Sequence, residues 1–260
     1  MVTFCWKMTL STFINRIVRQ LDTLIIGKLY SATSLGLYNR AQSLNNLVID
    51  YSFSSIRSVM LPSLSKLQND NEALQYSVLK LLHIISFLTF LVSGLMYICA
   101  DDLIPLLYGE QWKGAISIFK ILGLFSISIC LPVVFDTVLT VANRMTLYLW
   151  LSILRNSLVL LAIPIGLYYG FMGYLWAISI AGIIKLVPSF IFARSSIGLS
   201  IRLQFVSVLS YAFPFILLLI IGDLICVNVH NYLFNIIIKG SYFLLFYIGI
   251  NICLQNDGLR

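Results

Sequence analysis

The chain has 260 residues, of which 60% are apolar and only 10% charged, against about 45–50% and about 25% in soluble domains. At a mean hydropathy of +0.95 over 29.4 kDa there is too little polar surface to cover a soluble globule, and no stretch has the composition of a disordered tail. Soluble-enzyme readings and a folded extramembrane domain are excluded, and the sequence predicts an all-α integral membrane protein of about eight transmembrane helices. The 17 Lys and Arg against 10 Asp and Glu give +7, which in a soluble chain would raise the question of nucleic acid. Here many basic residues sit near span ends, where topology and anionic lipid explain them.

Apolar windows between polar breaks place spans at roughly 9–29, 34–60, 76–99, 115–141, 146–168, 172–193, 203–226 and 231–254. The opening from Met1 to Lys7 lacks a charged leader, a clean apolar core and a small-residue cleavage site, so the first span is expected to direct insertion. Within it, Arg16, Arg19 and Asp22 fall well inside a segment that should meet hydrocarbon. Each such charge costs about 2.5–3.5 kcal/mol unless paired or watered. At 100° per residue, Asn15, Arg19 and Asp22 share a face with Arg16 beside it, so this polar stripe is expected to face something other than lipid.

The second span carries the longest polar pattern. Asn39, Ser43, Asn46, Asp50, Ser54 and Arg57 step by three or four and stay within a sector of roughly 80°. The stripe runs about 27 Å at 1.5 Å per residue, nearly the hydrocarbon thickness, and could line a path across the membrane. Arg40 and Asn45 lie off it and are expected to meet neighbouring helices or the outer interface.

After the third span, Asp101 to Gly114 reads as the longest external connection, with Leu103 to Leu107 as a short interfacial helix. Further inward charges are Lys120 and Asp136 in the fourth span, Arg155 in the fifth, Lys185 in the sixth and Lys239 in the eighth. They form no motif and read as snorkelling groups or interhelical glue. The last two spans are nearly uniformly apolar, with Asp223 close to an interface, and are expected to be peripheral. Trp112, Tyr169, Trp176 and Tyr232 fit an interfacial belt.

Assigning loops alternately, one side collects Lys7, Arg57, Lys66, Lys80, Arg144, Arg194, Arg202 and Arg260, and the other chiefly Lys28 and Lys113. The basic side is expected to be cytoplasmic, with both termini on it. Cysteines at 5, 99, 130, 226 and 253 show no CxxC pair and an odd total, so neither a disulfide framework nor a zinc site is indicated. They read as packing residues. His83 and His230 are singletons that suggest no metal or catalytic role. No nucleotide-binding glycine loop is present, which argues against an ATP-driven pump, and no cofactor is expected.

Three passages carry a family resemblance: Asn15 through Lys28; Leu35 through Gln42, continuing to Leu61 through Gln68; and Leu106 through Trp112. In that order and spacing they resemble the polysaccharide exporters and Wzx-type oligosaccharide flippases of the multidrug/oligosaccharidyl-lipid/polysaccharide superfamily. The resemblance covers nearly all of the chain but aligns with the C-terminal half of such transporters. It implies the second six-helix bundle, residues 1–200, and two peripheral helices, residues 201–260, of a fourteen-span flippase. It also implies export of undecaprenyl-pyrophosphate-linked oligosaccharides, with Arg16, Arg19 and Arg57 as cavity cations and a missing first half, supplied by a longer chain or by a partner. Asp22, Asn39, Asn46 and Asp50 complete the set of cavity candidates. Three other readings are an ion-coupled drug exporter, disfavoured by the basic bias of the stripes, an integral-membrane glycan polymerase or acyltransferase, and a non-transporting remnant. The enzyme reading needs a positioned acid, base or nucleophile, and the longest external connection offers Asp101, Asp102 and Glu110 but no His.

Overall fold

The computed structural model describes residues 2–224 and 232–254, with all their side chains except those of residues 2–5, 19, 22, 162, 165, 167, 223 and 224. The expectations for Cys226, His230 and Arg260, and for the side chains of Cys5, Arg19, Asp22 and Asp223, fall outside the described residues. Ten α-helices follow in order: α1 Val2–Leu29, α2 Ala32–Ser65, α3 Asn71–Tyr108, α4 Ala115–Leu124, α5 Ile127–Val141, α6 Met145–Tyr168, α7 Gly170–Ile184, α8 Leu186–Ile197, α9 Ile201–Leu224 and α10 Tyr232–Cys253. Over the described residues all eight predicted spans are helical, and two of them are broken pairs, α4 with α5 and α7 with α8.

Among the described residues five segments are long and apolar enough to cross a membrane: Asn71–Tyr108, Ala115–Val141, Gly170–Ile197, Ile201–Gly222 and Tyr232–Cys253. α1 and α2 are not among them because their charges and amides dilute the apolar windows, and the described run Met145–Leu161 of α6 is a further apolar helix. The protein is a multi-pass helical membrane protein.

Local chemistry sets the helix ends. Ser31 caps α2 by accepting from the Ser34 amide at 3.0 Å, and Asp70 caps α3 by accepting from the Ala73 amide at 3.0 Å. The break between α7 and α8 falls at Lys185, three residues before Pro188. Proline cannot donate to the carbonyl four residues back, and in the first turn of α8 Pro188 has no such bond to make. At the α4–α5 break the Ser93 hydroxyl donates to the Gly123 carbonyl, which is near the end of α4.

The sequence reading ended the third span near residue 99 and gave Leu103 to Leu107 a separate interfacial helix; in the structure α3 continues unbroken to Tyr108. The apolar run from Leu103 prolongs the helix, and the two aspartates before it are neutralised from other helices. Asp101 pairs with Lys120 of α4 at 2.7 Å, and Asp102 with Lys239 of α10 at 2.6 Å. At 38 residues α3 is about 57 Å long, well beyond the ~30 Å of the hydrocarbon core.

α3 is the central post. α4, α5, α9 and α10 pack along it, α1 lies chiefly on α6, and α6 on α7. Two buried clusters stack along the bundle. One joins Tyr38, Ala41 and Leu44 of α2 to Met96 and Ile104 of α3, Phe119 of α4 and Tyr174 of α7. The other joins Phe53 and Leu64 of α2 to Leu82 of α3, Phe135 of α5, Phe190 of α8, Tyr211 of α9 and Phe243 of α10. α10 closes on α3 at Gly94, where any Cβ would overlap the Phe243 ring. Phe87, Phe243 and Tyr247 stack beside it, with centroids 5.4 and 5.6 Å apart. The outward faces of α9 and α10 remain apolar and exposed, including Phe213, Ile220, Ile237 and Leu245. In a bilayer those faces meet acyl chains.

Candidate functional site

The inward charges expected to act as glue hold the bundle together. Arg155 of α6 is 8% exposed. Its Nη1 donates to Asp136 of α5 at 2.6 Å, and its Nε and Nη2 donate to the Ser189 hydroxyl of α8 at 3.0 and 2.8 Å. Asp102, itself 5% exposed, accepts from Lys239 and also from the Asn235 amide at 3.0 Å. Lys120 lies over the Tyr97 ring as well as on Asp101. His83 meets the Tyr211 hydroxyl at 3.3 Å inside the bundle. Among the described residues no group of three or more His, Cys, Asp or Glu side chains could hold a metal ion. Cys99 and Cys130 are buried as packing residues, whereas Cys253 is exposed at the end of α10.

On α1, Asn15 turns toward α6. Asn15 accepts from the Asn156 amide at 2.7 Å and from the Ser152 hydroxyl at 3.2 Å, so at this position the stripe is a helix–helix seam. Arg16, beside it, is exposed. The two residues expected off the α2 stripe meet neighbours. Asn45 is buried and accepts from the Ser126 hydroxyl at 3.5 Å. The Arg40 guanidinium lies 5.6 Å from the Tyr108 ring and 5.2 Å from the Trp112 ring. Next to it Glu110 accepts from Lys113 and from the Tyr232 hydroxyl. Hydrogen bonding from Lys113, then from Tyr232, holds the Glu110 carboxyl below the usual carboxylate range.

The α2 stripe behaves differently from the buried polar groups that join one helix to another. α2 buries Tyr38, Ala41, Leu44, Asn45, Ile49, Phe53, Met60 and Leu64, and this packing turns the opposite face outward. On that face Asn39, Ser43, Asn46, Asp50 and Ser54 are exposed and Arg57 is half-exposed. Among the described residues the ion pair along it lies within the stripe: Arg57 Nη1 donates to Asp50 Oδ1 at 3.0 Å, two helical turns away. Tyr51, 81% exposed, and Leu47, 53% exposed, flank it. The sequence reading passed over Tyr51 because an aromatic ring in a span counts as apolar; its place one residue from Asp50 was the available signal. The result is a continuous row of amides, hydroxyls, one carboxylate and one guanidinium, open along a helix of membrane-spanning length. Such a row can bind hydroxyl-rich and anionic groups, and it cannot be left against lipid.

These features define a helical membrane protein with an uncovered polar face on α2. Residues 1–117 match the family model described as "Polysaccharide biosynthesis protein". Over 237 residues, 90% of this chain and 46% of the relative, the sequence is 26% identical to the lipopolysaccharide biosynthesis protein WzxC of Escherichia coli K12. Over 111 residues, 42% of this chain and 22% of the relative, it is 36% identical to a membrane protein of the cps region of Klebsiella pneumoniae. Over 118 residues, 45% of this chain and 24% of the relative, it is 25% identical to the teichuronic acid biosynthesis protein TuaB of Bacillus subtilis 168. No solved structure matches the chain. The resemblance to the polysaccharide exporters drawn from the three passages therefore stands, and the chain spans about half the length of the curated relatives it matches.

Proposed function

We propose that this chain forms the second lobe of a flippase that moves lipid-linked oligosaccharide or polysaccharide precursors across the cytoplasmic membrane, without acting as an enzyme. One observation carries the reading: the stripe from Asn39 to Arg57 is uncovered along a helix whose other face is packed. A second bundle, on the same polypeptide or on a partner chain, covers that face and encloses a polar cavity. In this cavity Arg57, with Arg16 and Arg19 on α1, attracts the pyrophosphate of the carrier lipid. The amides of Asn39 and Asn46, with Asp50 and Asp22, hydrogen-bond sugar hydroxyls. Residues 1–200 form the lobe and residues 201–260 the two peripheral helices. Both termini lie in the cytoplasm, by the excess of Lys and Arg on that side. The cavity opens alternately to the two membrane faces.

The test is Arg57→Ala and Arg19→Ala in the complete transporter, with protein level checked by immunoblot. Loss of surface polysaccharide with lipid-linked units accumulating on the cytoplasmic face is expected. Normal export in both variants removes those residues from the site, and accumulation of exported but unpolymerised units in a deletion strain assigns the protein to polymerisation instead.

A further inference from the structure

The Asp50–Arg57 pair is unlike the three ion pairs that join one helix of the bundle to another, and it shares its exposure with the local Glu110–Lys113 pair. Those between Asp101 and Lys120, Asp102 and Lys239, and Asp136 and Arg155 each join two different helices and are partly or largely buried. Asp50 and Arg57 both sit on α2, their side chains are 68% and 35% exposed, and they meet through a single Nη1–Oδ1 bond of 3.0 Å. They join nothing, so the pair does not serve assembly. Arginine offers five N–H donors in a planar fork suited to two oxygens at once. Here one of them reaches a carboxylate, and no other partner faces the guanidinium among the described residues. An exposed pair of this kind is worth about 1 kcal/mol or less, so it opens readily to a stronger acceptor.

From this geometry we infer that Asp50 is an internal counter-anion that occupies Arg57 when the cavity is empty and is displaced by the diphosphate of the incoming carrier lipid. The exchange has two consequences. The guanidinium is held along the helix, pointing toward the middle of the stripe, before the ligand arrives. On release the carboxylate reclaims it, so the diphosphate leaves behind a guanidinium that is paired again. Asp50 is thus a positioning residue that sets how tightly the anion is held, and Arg57 is its contact. The inference rests on the cavity reading of the stripe, and the experiment separates the two.

The full chain in lipid nanodiscs is titrated with farnesyl diphosphate, a short polyprenyl diphosphate, and the dissociation constant is measured for the native protein, Asp50→Asn, Arg57→Gln, the double variant and Lys66→Gln. Lys66 is an exposed cation at the end of α2, off the stripe. Asp50→Asn is expected to bind about five-fold more tightly, the limit set by an exposed pair of about 1 kcal/mol. Arg57→Gln is expected to weaken binding at least as much, with the double variant like Arg57→Gln and Lys66→Gln like the native protein. Unchanged binding in Arg57→Gln, or equal weakening in Lys66→Gln, overturns the cavity reading of Arg57. Weakening in Arg57→Gln without tightening in Asp50→Asn overturns the exchange alone. So does tightening by Asp50→Asn that persists in the double variant, because the carboxylate then acts by simple repulsion.

Discussion

Replacing Arg155 with leucine tests the most densely bonded charge of the bundle. The guanidinium is 8% exposed and ties three helices through a 2.6 Å bond to Asp136 and two bonds to Ser189. Removing one partner of a buried pair leaves the other charge uncompensated, at about 3–5 kcal/mol. Ser189 loses little by itself, since its hydroxyl still donates to the Lys185 carbonyl at 3.1 Å. The cost therefore falls on Asp136, whose side chain is 33% exposed and which stays within reach of the Lys185 charge, so the low end of about 3 kcal/mol applies, and at about 2–4 °C per kcal/mol the melting temperature should drop by about 6–12 °C. Asp136→Leu with Arg155→Leu replaces both charges by apolar volume, which for buried pairs is often neutral. Lys185, half-exposed at the helix break, can then extend its ammonium toward the interface. Melting is followed in detergent by size-exclusion fluorescence. If the double variant melts as low as the single one, the loss comes from packing and not from the stranded carboxylate, and the reasoning is wrong.

At Gly94 an alanine would overlap Phe243, so Gly94→Ala should lower the melting temperature through overpacking of about 1–3 kcal/mol, and Phe243→Leu in the same chain should restore part of it. Removing the cation with Arg40→Gln should loosen the cluster of Tyr108 and Trp112 by about 0.5–1 kcal/mol per ring contact, read as a red shift in tryptophan emission that Arg40→Lys partly reverses. Glu110 titrates below the ordinary carboxylate value in the folded chain. Its contacts with Lys113 and Tyr232 are therefore present above the unfolded value and lost only as pH falls through the lower folded one. A pH titration of the same emission should show that step below the usual carboxylate range, and Glu110→Gln should abolish it.

How much of this was legible in the sequence differs by feature. Span positions were, since about 20 apolar residues in lipid leave the backbone little choice but helix. The breaks at Phe125 and Lys185 were not, because an apolar window carries no sign of interruption, although Pro188 was a usable hint. Helical periodicity alone placed the α2 stripe on one face, and the structure shows that face uncovered. The same periodicity could not tell a seam from an opening: Asn15 also sits on a polar face, yet its own side chain is taken up by Ser152 and Asn156 of α6. Nor could it pair Asp102 with Lys239 or Asp136 with Arg155, because partners so far apart in the chain meet only through tertiary packing.

The two adjacent aspartates at the end of α3 impose a timetable on biogenesis. As the ribosome delivers the chain, Asp101 finds its cation after only 19 further residues, in Lys120, whereas Asp102 waits 137 residues for Lys239. Until α10 arrives, a carboxylate near the end of the central helix lacks its ammonium, and the groove beside Gly94 lacks Phe243. A nascent chain stopped before α10 thus displays a charge that lipid tolerates poorly, a mark by which membrane proteases could tell an unfinished protein from a finished one. Loss of the last helix should accordingly shorten the protein's lifetime in the cell, and Asp102→Asn should lengthen the lifetime of the truncated chain.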